Sequence, residues 1–302
     1  MIRHRPQWLL AALVCIAGFF IPFRFATDQA FYIHLMDAAH LPVFCALTLF
    51  AYAFCPWEQP PCRRRIFAAG GMTVLSGLIE VIQPLAGRSH SWIDFTNGLA
   101  GILIALLFLV RSRWLVPVSI AVCVMAFLPA WKESAGIRWR TSHFPLLADF
   151  ENDDELRLWI GSGLGNVRSD NVERVREHAS QGEWSLRVVT TATATWPGVR
   201  LLNGKQDWRG KTALAFDIWN DGPAFTLSIR IDDDFPHQHH QDRFNAALDL
   251  TPGWNHLTIP LAEIESRPKN RRLNLAAIQR TILYVNEPEV EHTFFIDHMR
   301  LE

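Results

Sequence analysis

Hydrophobic and polar positions are distributed very unevenly along the 302 residues. Up to Trp131 the chain runs in long apolar blocks, and beyond Lys132 it turns polar, charged and rich in turns. Five blocks approach the 17–25 residues that cross a hydrocarbon layer as a helix. They are Trp8–Phe23, Leu41–Trp57, Ile66–Ala86, Phe95–Val110 and Trp114–Trp131. The stretch after the first is a poor cleavage site, so an uncleaved anchor is expected there. From Asp149 onward the pattern changes to short alternating or β-branched runs between turn signals. Strands are expected at Ser185–Thr191, Ala213–Asn220, Phe225–Asp232, His256–Pro260, Thr281–Val285 and Thr293–Met299. One short helix is expected at Leu275–Arg280, capped by Asn274. The expected architecture is a multi-domain chain: an all-α transmembrane bundle of about five helices, then an all-β jelly-roll sandwich. Its boundaries are 1–131 for the bundle, 132–147 for a linker and 148–302 for the sandwich.

Charge adds orientation. Arg3, Arg5, Arg63, Arg64, Arg65, Arg111 and Arg113 flank the spans on one side, and only Arg24, Arg88 and Lys132 flank the other. By the positive-inside rule the N-terminus is expected in the cytoplasm, and five spans then put the sandwich in the periplasm or outside the cell. A formal net charge of -1, with no basic tail, gives no reason to expect nucleic acid. All five cysteines lie in the hydrophobic half, so the sandwich folds without disulfides. Cys55 and Cys62 have no second pair at zinc-ligand spacing.

Polar residues in apolar spans ask for a reason, since a charged group at bilayer depth costs about 2.5–3.5 kcal/mol on insertion scales. Asp37 with His40, Glu80 with Gln83, and Asp94 with Asn97 are each spaced i, i+3, which puts both members on one helix face. Arg88 lies in the short connection between two of these helix ends. Such a cluster could knit the bundle together, hold a polar headgroup, do acid–base work or take a divalent metal on His40, Glu80 and Asp94. The order Asp37-x-x-His40, Glu80-x-x-Gln83, Gly87-Arg88-Ser89 and Asp94-x-x-Asn97-x-x-x-Gly101 resembles the VanZ-like membrane proteins over roughly residues 30–110. Ala38 stands where many members carry a lysine. The resemblance implies a bacterial plasma-membrane protein of the cell envelope, in a family associated with glycopeptide-antibiotic resistance.

In the second half, Asp149-Phe150-Glu151, Gly182-x-x-Ser185-Leu186-Arg187-Val188, Asp207-Trp208-Arg209-Gly210, Pro252-Gly253-Trp254 and Phe294-Phe295-Ile296-Asp297 occur in order. This series resembles carbohydrate-binding modules of the galactose-binding-like jelly-roll type. The resemblance implies a structural calcium held by Glu151 and Asp297. Sugar binding needs aromatic platforms beside polar side chains. The candidates are Trp196, Arg200, Trp219, Asp232, Asp234, His237, His239 and Arg243. Trp208 and Trp254 are expected to be core residues instead. The function expected first is binding or handling of a glycan or lipid-linked envelope precursor at the outer face. Alternatives are an outer-leaflet enzyme using Glu80 or Asp94 with His40, and a scaffold that binds envelope proteins of an export or sorting machine.

Overall fold

The computed structural model describes residues 29–56, 58–86, 91–162, 172–235 and 239–302. The first expected span, Trp8–Phe23, lies outside them, as do Arg88 and His237. The chain divides into two compact units that meet between Trp131 and Lys132.

The first unit holds α1 (Gln29–Phe54), α2 (Pro61–Ile82), α3 (Trp92–Leu109) and the start of α4 (Leu115–His143). All four helices are long and apolar enough to cross a membrane. Each begins or ends where the sequence punctuates it. Pro61 opens α2 at a position whose N–H would have no partner, and the Ser91 hydroxyl accepts the Asp94 N–H to cap α3. The small core between α1, α2 and α3 is Phe44, Ile79 and Ile102. Gly101 lets α3 approach α1 so closely that a Cβ there would sit 2.2 Å from the Leu41 carbonyl oxygen. The outer faces keep Ile66, Phe67, Val81, Trp92 and Met125 exposed, a surface that water does not favour and lipid does.

Two expectations are corrected here. The span expected from Leu41 runs from Gln29 among the described residues, so Asp37 and His40, expected to open it, lie at least two to three turns inside the helix. Residues 132–143, expected as linker, continue α4 to His143 without a break. The physical reason is packing. From Lys132 on, this helix belongs to the second unit. Trp139 enters the sandwich core, Gly136 lies against Asp154 and Leu158, and Arg140 packs on Gly204 and donates to the Leu202 carbonyl.

The sandwich consists of two antiparallel sheets. One has the order β3 (Val172–Val175), β4 (Ser185–Val189), β11 (Thr293–Leu301), β6 (Ala213–Asn220), β9 (Gly253–Pro260), with β1 (Leu146–Ala148) also paired to β11. The other runs β2 (Trp159–Ser162), β5 (Gly198–Gln206), β10 (Ile278–Tyr284), β7 (Phe225–Asp233), β8 (Phe244–Leu250). Alternation fills the space between them. Leu186, Val188, Phe216, Ile218, Phe294 and Ile296 face Val199, Leu201, Ile229, Ile231, Phe244 and Leu283 in one core. Trp208 is fully buried in it, whereas Trp254 is only half-buried. The helix expected at Leu275–Arg280 is a single 3-10 turn, Leu275–Ala277, capped by Asn274 as anticipated. It stops there because Ile278 and the residues after it pair on both sides, with β5 and β7.

Candidate functional sites

In the bundle, the six described members of the polar set gather where α1, α2 and α3 meet. The His40 ring nitrogen Nδ1 lies 3.1 Å from the Met36 carbonyl and 3.5 Å from Asp94 Oδ1. Asn97 crosses from α3 to α1 by donating to the Asp37 carbonyl at 2.9 Å. Glu80 accepts the Ser91 N–H at 2.8 Å, which ties the end of α2 to the start of α3. Gln83 is fully buried at the C-terminal cap of α2. One potential ligand atom from each of His40, Glu80 and Asp94 falls within 4.8 Å of the others, a spacing that a divalent ion could bridge. Glu80 also lines a cavity of about 460 Å³ whose other walls include Gly77, Val81, Trp92 and Phe95.

In the sandwich, the expected ligand residues separate onto opposite faces. Trp219 lies on the outer face of the six-stranded sheet, where the His178 ring stacks on it at 4.2 Å and Trp254 meets it edge-on at 5.5 Å. It is a packed ring and not an open platform. Arg200 lies on the other sheet, and pleating puts Arg200, Arg230, Asp232, Arg280, Ile282 and Tyr284 together on the outer face there. Arg243, at the entry to β8, joins them. Asp232 is the hub. Its carboxylate accepts from Arg230 Nε and Nη2 at 2.7 Å each, and from Arg280 Nε. Burial lowers the pKa of Arg200, and the neighbouring Arg280 and Arg230 lower it further against the pull of Asp232. Burial likewise lowers that of Arg243, followed by the charge of Arg230.

The remaining candidates are placed as follows. Trp196 is 58% exposed, at the end of the sheet that carries Tyr284, and its Nε1 donates to Asn286 Oδ1 at 3.0 Å. Asp234 pairs with Lys205 at 3.1 Å and with Asn274, which leaves it a loop anchor. His239 is exposed just before the short turn His240–Asp242. Arg230, Arg280 and Tyr284 are absent from the residues singled out in the sequence. The signal was the period of two in Ser228-Arg230-Asp232 and Arg280-Ile282-Tyr284, which puts each trio on one face once the strands are recognised.

The calcium expectation does not fit the donors present. Asp297 Oδ2 accepts the backbone N–H groups of Ser180 and Gln181 at 2.7 and 3.0 Å, and Oδ1 accepts that of His298 at 2.7 Å. Glu151 Oε1 accepts those of Glu183 and Trp184 at 2.7 and 2.9 Å. A calcium ion takes six to eight oxygens, and these carboxylates already face N–H donors. They act as two clamps on the loop 180–184. Burial raises the Asp297 pKa, and the N–H donors oppose the shift.

No protein-family model matches the chain, and no curated protein matches it. Solved structures similar to its second half include the family 11 carbohydrate-binding module from Clostridium thermocellum in complex with a β-1,3-1,4-mixed-linked tetrasaccharide. That match has 16% identity and a TM-score of 0.37, and covers 52% of this chain and 93% of that one. A family 30 carbohydrate-binding module of a cellulosomal cellulase from the same organism matches at 13% identity and TM-score 0.39, over 48% of this chain and 91% of that one. An exo-β-agarase matches at 17% identity and TM-score 0.39 over 52% of this chain, which spans only 24% of the agarase.

Proposed function

We propose that this chain is an integral membrane protein of the bacterial envelope that binds a glycan with the outer face of its five-stranded sheet. One observation carries the reading. That face is a half-buried, hydrogen-bond-rich surface of Arg200, Arg230, Arg280, Asn245 and Ser228, with Tyr284 on it and the exposed Trp196 at its end. A saccharide offers hydroxyls to such donors and C–H faces to such rings. The carbohydrate-binding modules named above agree with this reading without adding to it. The order of polar residues in the first half supports a VanZ-like bundle in the plasma membrane, and its arginine distribution supports a cytoplasmic N-terminus. The test is a glycan array probed with the full chain in lipid nanodiscs. Trp196→Ala together with Tyr284→Ala should weaken binding at least tenfold while the circular dichroism spectrum stays unchanged. A folded chain that retains no saccharide on the array would overturn the proposal.

A second reading has its own observation, the cavity of about 460 Å³ beside Glu80. An apolar cleft ending at a carboxylate, with His40 and Asp94 close by, suits the head and first carbons of a lipid-linked precursor. Glu80→Gln should then abolish photo-crosslinking of a polyprenyl-phosphate probe to the full chain without reducing membrane insertion.

A further inference from the structure

We infer that the bundle carries a binding site for the headgroup of an anionic phospholipid, built by Arg63, Arg65, Arg111 and Arg113 beside Trp114. The inference rests on the membrane-spanning reading above and is independent of the glycan reading.

Topology brings these residues to one end of the bundle. α1 ends at Phe54 and α2 opens at Pro61, while α3 ends at Leu109 and α4 opens at Leu115. Arg65 Nη2 donates to the Leu109 carbonyl at 3.3 Å, so the start of α2 lies against the end of α3. Two helices begin here and two end, so their dipoles oppose one another and side chains set the sign of the field. That sign is positive. The acids of the chain up to Trp131 are Asp28, Asp37, Glu58, Glu80 and Asp94, and of these only Glu58 lies in a connection at this end. Asp37, Glu80 and Asp94 belong to the polar set described above, and Asp28 precedes the other end of α1.

Geometry separates the arginines that hold the fold from those that face outward. Arg64 is buried, donates to the Tyr52 carbonyl at 2.8 Å and lies over the Tyr52 ring at 4.3 Å. Arg65 is half-buried and ties α2 to α3. Arg63, Arg111 and Arg113 are exposed and form no ion pair among the described residues. The turn that carries two of them is fixed. The Arg111 N–H donates to the Phe108 carbonyl, the Ser112 N–H to the Leu107 carbonyl and the Trp114 N–H to Ser112 Oγ. Arginines that only orient a span need no such fixed placement. The Arg113 guanidinium lies over the Trp114 indole at 5.6 Å, and Trp114 is itself 57% exposed. A tryptophan at the end of a span sits at headgroup depth, which puts its arginine neighbours level with the lipid phosphates. A guanidinium fork takes two phosphate oxygens at once. A zwitterionic headgroup would bring its own cation against the cluster, whereas an anionic one does not.

The experiment purifies the full chain in an uncharged detergent and titrates it with dioleoylphosphatidylglycerol or dioleoylphosphatidylcholine. Native mass spectrometry counts the lipid that each chain retains. An arginine that reaches an anionic headgroup contributes about fivefold in affinity, so phosphatidylglycerol should bind about tenfold or more tightly than phosphatidylcholine. The preference should shrink as salt rises from about 50 to about 500 mM. Arg111→Gln combined with Arg113→Gln should remove most of it. Arg111→Lys combined with Arg113→Lys should remove less, because the charge stays and only the fork is lost. Arg209→Gln, at an exposed arginine of the sandwich, should change nothing. Equal retention of the two lipids would overturn the inference and leave the spanning reading standing, as would a full preference in the glutamine pair. Displacement of the lipid by inorganic phosphate at equal concentration would also overturn it, because the arginines would then read a free anion. A chain that stays monodisperse without detergent and retains neither lipid would overturn the spanning reading as well. The wild-type preference needs no variant, so misfolding of a substituted chain cannot hide the result.

Discussion

The two halves each gather ionisable side chains, but one seals them and the other leaves them partly open. In the bundle, His40 and Asp94 are almost sealed, with side chains 4% and 3% exposed, and hydrogen bonds to Met36, Asp37 and Ser91 hold the set. On the sandwich, four guanidinium groups surround one carboxylate and stay partly open. A low-dielectric bundle tolerates ionisable groups only where their partners are built in. A sheet face beside water can carry an unbalanced charge, because solvent screens it until a ligand replaces the solvent. An arginine face partly open to water is therefore the better pointer to a ligand, and the sealed polar set of the bundle is as consistent with assembly as with binding.

The largest test of that contrast removes the hub. Asp232 is fully buried beneath Arg230 and Arg280, so Asp232→Asn leaves two guanidinium groups facing each other and two more nearby. Breaking a buried pair on one side costs about 3–5 kcal/mol. Chemical denaturation followed by near-ultraviolet circular dichroism should show this loss in the sandwich transition. Added sulfate should recover part of it by pairing with the exposed edges of Arg230 and Arg280. No destabilisation would mean that the arginines do not depend on Asp232 and that the cluster is looser than described.

Next comes the packing that brings the bundle's polar residues together. A Cβ on Gly101 would lie 2.2 Å from the Leu41 carbonyl oxygen and 2.9 Å from the Cys45 nitrogen, both rigid backbone. Gly101→Ala must push α3 away from α1, at a cost of about 2–3 kcal/mol. It should lower the detergent melting temperature and pull Asn97 from the Asp37 carbonyl. Gly77→Ala, whose Cβ would find its nearest atom at 3.9 Å, serves as the control and should be neutral.

How far these sites could be read from sequence differs for a physical reason. Helical spacing announced Asp37, His40, Glu80, Gln83, Asp94 and Asn97, because an ionisable group in an apolar run stands out against its surroundings. Of the arginine face, Arg200, Asp232 and Arg243 were named, but Arg230 and Arg280 did not stand out, because polar residues on the solvent side of a strand are ordinary. Arg230 and Arg280 are 50 positions apart in the chain, and only the β7–β10 register brings Arg280 opposite Asp232. β5 and β8 were missed as strands, since Asn203 and Gly204 in one and Asn245 and Asp249 in the other read as turn residues. The two-sheet sandwich was legible from alternation alone. The continuation of α4 past Trp131 was not, because its apolar periodicity ends there and tertiary contacts of Trp139 and Arg140 take over.

A last test concerns a buried acid that belongs to neither cluster and is read locally, at a few backbone amides. Glu155 is fully buried, and burial together with a hydrogen bond to Asp149 raises its pKa to about 8. Its carboxylate also holds the N–H groups of Asp149, Phe150 and Asn152 at 3.0, 2.9 and 3.1 Å, which works against the shift. An acid whose folded pKa exceeds its ordinary value near 4.5 binds more protons folded than unfolded. Its stabilising contribution is therefore complete below pH 4.5 and is lost as pH rises through about 8. Hydrogen exchange at Phe150 and Asn152, corrected for the intrinsic rate, should show protection falling across that window. Glu155→Gln, which carries no charge to desolvate, should flatten the dependence. Protection that instead rises with pH would show that the N–H donors outweigh burial and that Glu155 is ionised in the fold. The Asp232 hub, where guanidinium groups supply the compensation, would then be the stronger form of the same arrangement.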